Sequence, residues 1–393
     1  MAGRVFSTSI ICVCWLASLT NAQQTTPRPP AAANDLEKAC VEFGRKIEQT
    51  MNAGDSSFFN QSLDVDALLE ETTKGVAAPP AVKQGFSKGV KETFDLGTII
   101  GKSISPKGGY KFLRYHQVDK RPRLLFRLLA GDQCNYHDLI LSRDADGKFK
   151  VVDVFVFLTA EKMSETLRRS YLAAVAEQNR GILEKLVQSE SDYLKNLPKI
   201  QEMIRLGQGG KSQEALQLFK QLPASVRKDK TVLILRLSYA SQTGDEEFKR
   251  AVQEIKVALP NDPCLDLILV DSYFLEKDFP KALECLDRLD KAVGPDAHVN
   301  FLRANINYAA GDKKKAKEWG LKAIQTEPAL AEPYWSLVTI SLEDSEFKET
   351  GRLLSLLEKD AHMKIGDLKN VPAYAEFVKS PEYTAWMQSR NKK

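Results

Sequence analysis

The chain has 393 residues, which is long for one ordinary hydrophobic core, so two or more domains are expected. Apolar residues make up 43% and charged residues 27% of it, a composition typical of a globular protein. The formal net charge is only +4 and is spread along the chain, so the sequence carries no basic block of the kind that nucleic-acid-binding proteins use.

The amino-terminal segment 1–22 reads MAGRVFSTSIICVCWLASLTNA, with one Arg, an apolar core and small residues at its end. This pattern predicts a secretory signal peptide cleaved after Ala22, and its apolar run is short for a membrane span. We therefore expect an exported protein, periplasmic or extracellular. The alternative is membrane attachment through an uncleaved signal segment. The Pro- and Ala-rich residues 23–33 predict a linker.

Residues 34–160 predict an α+β domain. Apolar residues at helical spacing predict helices over 35–53, 64–72 and 79–100. The period then changes to two, which predicts strands over the ranges 110–117, 122–130, 134–142 and 148–158. The last two strands are joined at Asp146-Gly147, a tight hairpin turn. Three helices followed by an antiparallel meander should pack the helices on one face of a curved sheet.

This order of elements resembles the nuclear transport factor two-like superfamily, which includes SnoaL-type proteins and ketosteroid isomerase. The most specific match is the final hairpin, DGKFKVVDVFVF at 146–157, and the resemblance covers about residues 35–160. It implies a cone-shaped domain with an internal cavity. Some members of the superfamily use that cavity for catalysis and others fill it with side chains.

Two polar residues of the predicted sheet, His137 and Asp153, stand among apolar neighbours. If both point into the cone, a carboxylate beside an imidazole could perform acid/base chemistry. The alternative is that both are hydrogen-bonded polar groups of the core. Such a pair alone names no substrate.

Segment 161–195 predicts connecting helices, and a repeat follows it. Five residues at predicted turns are spaced by 34, 33, 34 and 34 positions: Gly210, Gly244, Lys277, Gly311 and Ser345. A small residue or Thr follows each turn: Ala215, Ala251, Ala282, Ala316 and Thr350. The pattern resembles the tetratricopeptide repeat, in which helix pairs stack into a solenoid. It predicts about five units over 196–360, with capping helices over 361–393.

The expected fold is thus an α+β cone-like domain followed by an all-α tetratricopeptide solenoid. Such solenoids line a concave groove with the first helix of each pair, and the groove binds peptides or proteins. Alignment of the units on their turns places these residues in the groove: Ile234, Ser238, Leu267, Asp271, Phe274, Phe301, Asn305, Tyr308, Trp335 and Thr339.

The strongest partner-binding candidates in this groove are Phe301, Asn305, Tyr308, Trp335 and Asp271. The alternative is that the aromatic residues pack between neighbouring helices. One subclass of these repeats holds a terminal carboxylate with a paired Lys and Asn. Asn305 fits that pattern, but Phe301 stands where the Lys is expected, so that activity is not transferred to this chain.

Other motifs match catalytic or ligand-binding patterns only in part. The sequence GFSKG at 85–89 resembles a nucleophile elbow but falls inside the predicted helix 79–100, whereas the elbow joins a strand to a helix. The sequence GKS at 101–103 lacks the earlier Gly of a phosphate loop. The four His residues lie far apart without Cys or acidic residues at ligand spacing, so neither a metal nor another cofactor is expected.

Four cysteines follow the predicted signal peptide, Cys40 and Cys134 in the first half and Cys264 and Cys285 in the second. Export would permit one disulfide in each half, but spacing alone does not fix the connectivity. Buried thiols are the alternative.

The sequence therefore predicts an exported, non-catalytic interaction protein that binds a protein or peptide through the solenoid. A second hypothesis keeps the solenoid as a docking arm and makes the cone a small-molecule binder or isomerase-like enzyme that uses Asp153 and His137. A third is a purely structural component of the cell envelope. An open or filled cone interior separates the first two hypotheses.

Overall fold

The computed structural model describes residues 31–104, 108–131, 133–178, 188–259 and 265–390. The predicted signal peptide and Cys264 lie outside these ranges. The chain divides between Cys264 and Leu265 into two compact units, called unit 1 and unit 2 below. In the described ranges, no helix is both long enough and apolar enough to cross a membrane.

Unit 1 begins with five helices: α1 (Ala31–Asn52), α2 (Ser57–Ser62), α3 (Val65–Thr73), α4 (Pro80–Thr93) and α5 (Leu96–Ser103). Helix α1 starts inside the segment predicted as a linker, and α2 was not predicted. The single helix expected over 79–100 is wrong, because the chain becomes extended at Phe94 and a new helix starts after Asp95. The Asp95 carboxylate caps α5 by accepting a hydrogen bond from the Thr98 amide at 3.1 Å.

An antiparallel sheet follows, with strands in sequence order: β1 (Gly109–Val118), β2 (Arg121–Ala130), β3 (Gln133–Arg143), β4 (Phe149–Val156) and β5 (Glu161–Lys162). The four strands predicted from the sequence are confirmed to within one or two residues. The two-residue β5 was not predicted. Helices followed by this sheet confirm the α+β character of the amino-terminal region.

One face of the sheet, called the helix-facing side below, packs against helix α1, which contacts β1 and β2. The space between them is filled by buried side chains that include Cys40, Ile47, Met51, Phe59, Tyr110, Leu124, Phe126, Leu128, Leu139 and Leu141. The rings of Tyr110 and Phe126 stack with centroids 4.6 Å apart. Burial of each large apolar side chain contributes roughly 1.5–3 kcal/mol, so this layer is the main source of stability for the sheet.

The remaining helices of unit 1 are α6 (Met163–Gln178), α7 (Gln188–Lys195), α8 (Leu197–Gln208), α9 (Ser212–Lys220), α10 (Ala224–Arg227), α11 (Lys230–Thr243) and α12 (Asp245–Ala258). Helix α6 contacts α3, α4 and β4, and α7 contacts both α6 and α8. The sheet and the first helix pairs therefore belong to one packed body.

Unit 2 is helical. Its helices are α13 (Asp266–Leu275), α14 (Phe279–Val293), α15 (Ala297–Ala309), α16 (Lys313–Thr326), α17 (Glu332–Glu343), α18 (Phe347–Lys359), α19 (Ala375–Val378) and α20 (Pro381–Arg390). A 3₁₀ turn at Pro372–Tyr374 precedes α19. Phe377, Tyr383 and Trp386 near the carboxyl end are buried in the same apolar cluster as residues of α17 and α18.

Ten helices of the two units form five pairs of neighbours in the sequence. The two helices of each pair contact each other: α8/α9, α11/α12, α13/α14, α15/α16 and α17/α18. The predicted turn residues all have positive φ: Gly210 74°, Gly244 136°, Lys277 59°, Gly311 84° and Ser345 56°. The small residues that follow them, Ala215, Ala251, Ala282, Ala316 and Thr350, are all 0% exposed. The residues predicted to lie at turns are thus found between paired helices, and the small residues that follow them are buried.

Among the described residues, Cys40, Cys134 and Cys285 are buried, and no disulfide joins any two of them. Burial raises the pKa of the Cys40 thiol to about 11, so this side chain stays protonated near neutral pH. The disulfide considered between Cys40 and Cys134 is therefore not formed. The second pair includes Cys264, which lies outside the described residues.

Candidate functional site

His137 is buried on the helix-facing side of the sheet. It pairs with Phe126 of β2 and Val156 of β4. Its Nδ1 lies 3.3 Å from the Tyr110 hydroxyl, and its Nε2 lies 3.4 Å from the side-chain Nδ2 of Asn135. Burial lowers the pKa of His137 to about 4, so the imidazole is neutral near neutral pH. These contacts are those of a hydrogen-bonded polar group within a core.

Asp153 lies on the opposite face of the sheet. It pairs with Ile140, and pairing from position 137 to 140 of β3 is regular, so residues 137 and 140 point to opposite sides. His137 and Asp153 thus do not share a face of the sheet, so the condition for an acid/base pair inside the cone is not met. The cause is a β-bulge: Val151 pairs with Leu141 and Asp153 with Ile140, which leaves Val152 as the extra residue.

The Asp153 carboxylate fixes the start of helix α6. It accepts hydrogen bonds from the Ser164 amide at 3.1 Å and from the Ser164 hydroxyl at 2.5 Å. A third comes from the Val154 amide at 2.9 Å. Burial raises the pKa of Asp153, and the hydrogen bonds from Ser164 and Val154 counteract part of that rise. The hydrogen-bond partners of Asp153 are thus residues of β4 and α6 that it holds in place.

A small cavity beside Asp153 is lined by residues that include Leu68, Phe94, Leu96 and Met163. Its volume is about 10 Å³. That is room for about one water molecule, whereas ligand pockets typically measure about 300–1,000 Å³. The small-molecule hypothesis for the cone gains no support from this cavity or from the separated positions of His137 and Asp153.

A charged cluster on the face of the sheet opposite His137 was missed by sequence reasoning. The Asp138 carboxylate lies 2.8 Å from Nε2 of His116 and 2.9 Å from Nη1 of Arg123. His116 is on β1 and Asp138 is on β3. The cross-strand register, which sequence alone does not give, brings them together. In the described ranges, no group of acidic, His and Cys side chains could hold a metal ion.

A second missed cluster joins β5 and α6 to the start of α11. Glu161 is 1% exposed and accepts a hydrogen bond from Arg169 at 2.8 Å and one from the Thr166 hydroxyl at 3.2 Å. The Asp229 carboxylate caps α11 by accepting from the Thr231 amide at 3.1 Å. Burial raises the pKa of Glu161 to about 8 and that of Asp229 to about 7, and Arg169 partly offsets both rises.

Three of the predicted groove residues form a stripe along α15. Phe301, Asn305 and Tyr308 are separated by four and three positions, so they share one face of the helix, and all three are half-buried. Oδ1 of Asn305 accepts a hydrogen bond from the Ser336 hydroxyl of α17 at 2.9 Å. The Tyr308 hydroxyl donates to Glu343 at the end of α17. The stripe is therefore tied to α17 by two side-chain contacts.

Trp335 of α17 is half-buried and packs against the apolar cluster that contains Tyr334, Leu353 and Leu357. Trp335 therefore contributes to the core and also to the surface of unit 2. We call Phe301, Asn305, Tyr308 and Trp335 the α15–α17 surface.

Asp271 of α13 is half-buried, and burial raises its pKa well above the usual value. Three other predicted groove residues, Ile234, Ser238 and Leu267, are buried. The predicted groove residues Phe301, Asn305, Tyr308, Trp335 and Asp271 are therefore half-buried and partly accessible.

No protein-family model matches the chain, and no curated protein sequence is similar to it. The contacts described above link the stripe of Phe301, Asn305 and Tyr308 to α17, and the strand register separates His137 from Asp153.

Proposed function

We propose that this protein binds a peptide or protein segment through the α15–α17 surface. The observation that carries the proposal is the half-buried stripe of Phe301, Asn305 and Tyr308, which the hydrogen bond from Ser336 to Asn305 ties to α17. Aromatic side chains bury large areas, and those at the centre of an interface often carry much of its binding energy.

Asn305 adds a polar contact to this surface. Its Oδ1 is used by Ser336, and no hydrogen bond within the described residues uses its Nδ2. An amide nitrogen beside half-buried aromatic rings can donate to a backbone carbonyl of an extended peptide. The surface thus offers apolar contact area together with a directional hydrogen bond, which is the combination that peptide grooves use.

The repeat supports the same proposal. Helix pairs at a spacing of 33 to 34 residues, with positive φ at each turn and a buried small residue after it, are what a tetratricopeptide array requires. We infer that the pairs are repeats of this type and that the chain acts as an exported interaction scaffold. The signal-peptide pattern of residues 1–22 supports export.

The test is selection of random twelve-residue peptides, displayed on phage, against immobilised chain 23–393. Peptides that bind should lose affinity at least about tenfold when Phe301 and Trp335 are both changed to Ala, because loss of two interface aromatics typically costs more than 1 kcal/mol each. The matched control is Met363→Ala with Val371→Ala, which truncates two exposed apolar residues of unit 2 outside these helices.

Trp335→Ala also removes core contacts, so the folded state of each variant must be checked by circular dichroism and thermal unfolding. Asn305→Ala is a second variant that leaves the aromatic contacts in place. If selected peptides bind the folded double variant and Asn305→Ala as tightly as the natural chain, or if no peptide is selected, the proposal is wrong.

A further inference from the structure

Asp271 occupies the same repeat position as Asn305. Each lies six residues before the turn residue of its pair, Lys277 for Asp271 and Gly311 for Asn305. The two pairs follow each other within unit 2. Asp271 and Asn305 should therefore present their side chains on equivalent faces of α13 and α15, toward the same side of the repeat.

The two positions differ in how their polar groups are satisfied. Asn305 accepts a hydrogen bond from Ser336, which lies nine residues before the turn of the following pair. The residue at the corresponding position for Asp271 is Leu302, which is buried and apolar. The hydroxyl that serves Asn305 thus has no counterpart at Asp271. Within the described residues, the Asp271 carboxylate makes no hydrogen bond and no ion pair.

A half-buried carboxylate without a partner is unfavourable, since burial removes water that no protein group replaces. Burial is the one influence resolved on the pKa of Asp271, and no charged side chain of the described residues adds to it. Such a group is a frequent feature of binding sites, where a ligand supplies the missing partner. The chemistry that satisfies it is a cation that also donates hydrogen bonds.

We propose that Asp271 receives the Lys or Arg side chain of the peptide segment that binds the α15–α17 surface. This inference rests on the proposed function and specifies its ligand as a cationic peptide.

The experiment uses the peptides selected on chain 23–393 that lose binding in the Phe301→Ala, Trp335→Ala variant. These peptides should be enriched in Lys or Arg at one position. A synthetic copy with norleucine at that position should bind the natural chain at least about tenfold more weakly, because a desolvated ion pair is lost. On Asp271→Asn the Lys and norleucine peptides should bind with similar affinity. Glu284→Gln, an exposed carboxylate of α14, is the matched control and should keep the discrimination.

A second readout is the pH dependence of peptide affinity. The cation binds the ionised carboxylate, so affinity should rise with pH up to the pKa that Asp271 has in the unbound chain, and this rise should be missing in Asp271→Asn. Equal binding of the Lys and norleucine peptides to the natural chain would overturn the inference, as would discrimination retained by Asp271→Asn. In both cases, peptides whose binding requires Phe301 and Trp335 would still support the proposed function. If no such peptide is selected, both proposals fail.

Discussion

The Asp153 carboxylate accepts two hydrogen bonds from Ser164, one from its amide at 3.1 Å and one from its hydroxyl at 2.5 Å. Asp153 is on β4 and Ser164 is in the first turn of α6. Because Asp153 is only 6% exposed, these bonds form where water competes poorly. They fix the position at which the chain leaves the sheet and enters its helical part.

We predict that Asp153→Ala lowers the free energy of unfolding by about 1–3 kcal/mol, because it leaves the buried amide of Ser164 without an acceptor. Ser164→Ala should lower the free energy of unfolding by less, about 1 kcal/mol, because the hydrogen bond from the amide of residue 164 to Asp153 remains. Both are measured by urea denaturation. The control is Asp146→Ala in the exposed hairpin turn, where both side chains of the ion pair with Lys148 are largely exposed and the pair contributes little. Equal stability of the Asp153 and Asp146 variants would contradict the assignment.

The orientation of Asp153 shows where sequence patterns stop being informative. Strict alternation predicts that Val151 and Asp153 share a face. The bulge at Val152 places them on opposite faces, and the sequence KVVDVFV is compatible with either arrangement. A bulge depends on the register with β3, which is a property of the folded sheet. The existence of the strands could therefore be predicted, but the side on which this carboxylate lies could not.

The turns of the repeat are the opposite case. Lys277 and Ser345 were assigned to turns because they fall at the repeat spacing, although neither is the Gly that favours positive φ, and both assignments are confirmed. Periodicity is a local signal that survives substitution at one position. The cluster of Glu161 and Asp229 has no such signal, since residues far apart in sequence meet only through packing within unit 1.

Glu161 should make stability depend on pH. Its folded pKa is raised from 4.5 to about 8, so between these values the folded state holds a proton that the unfolded state has released. The free energy of unfolding should therefore fall as pH rises from about 4.5 to 8, by at most about 1.4 kcal/mol per pH unit for one proton. Glu161→Gln removes this titration and should flatten the profile, as measured by urea denaturation at several pH values.

The pKa of Asp229 is raised to about 7 and changes stability in the same direction, so Glu161→Gln should reduce the slope and leave part of it. The matched control is Glu376→Gln, an exposed carboxylate paired with Lys379, which should leave the slope as it is. A Glu161→Gln profile as steep as that of the natural chain would show that Glu161 is ionised in the folded state across this range.

His137 should have the opposite effect at lower pH. Its folded pKa is lowered from 6.5 to about 4, so between these values the unfolded state binds the additional proton. The free energy of unfolding should therefore rise as pH increases from about 4 to 6.5. His137→Gln keeps a polar partner for Tyr110 and should reduce this acid-side slope. The exposed residue His362, changed to Asn because its φ is 53°, is the control and should keep the slope. An unchanged slope in His137→Gln would show that His137 does not cause it.

Two of the five turns between paired helices lack Gly. Lys277 and Ser345 have φ of 59° and 56°, a region that costs a residue with a Cβ roughly 1–2 kcal/mol. Replacement by Gly removes this strain but adds entropy to the unfolded chain, worth about 0.5–1 kcal/mol. We therefore expect Lys277→Gly and Ser345→Gly each to raise the free energy of unfolding by up to about 1 kcal/mol. Thermal and urea denaturation measure the change.

Gly311→Ala is the reverse test, and Gly85→Ala is its matched control. Apart from the adjacent residues and, for Gly85, the backbone of its own helix, no atom of the described residues lies within 4 Å of a Cβ added at either position, so steric contact does not distinguish them. Gly311 has a φ of 84°, whereas Gly85 is inside helix α4. Gly311→Ala should destabilise the chain by about 1 kcal/mol and Gly85→Ala should stabilise it by about 0.5–1 kcal/mol. If both alanines have the same sign of effect, backbone conformation at the repeat turns is not what determines stability there.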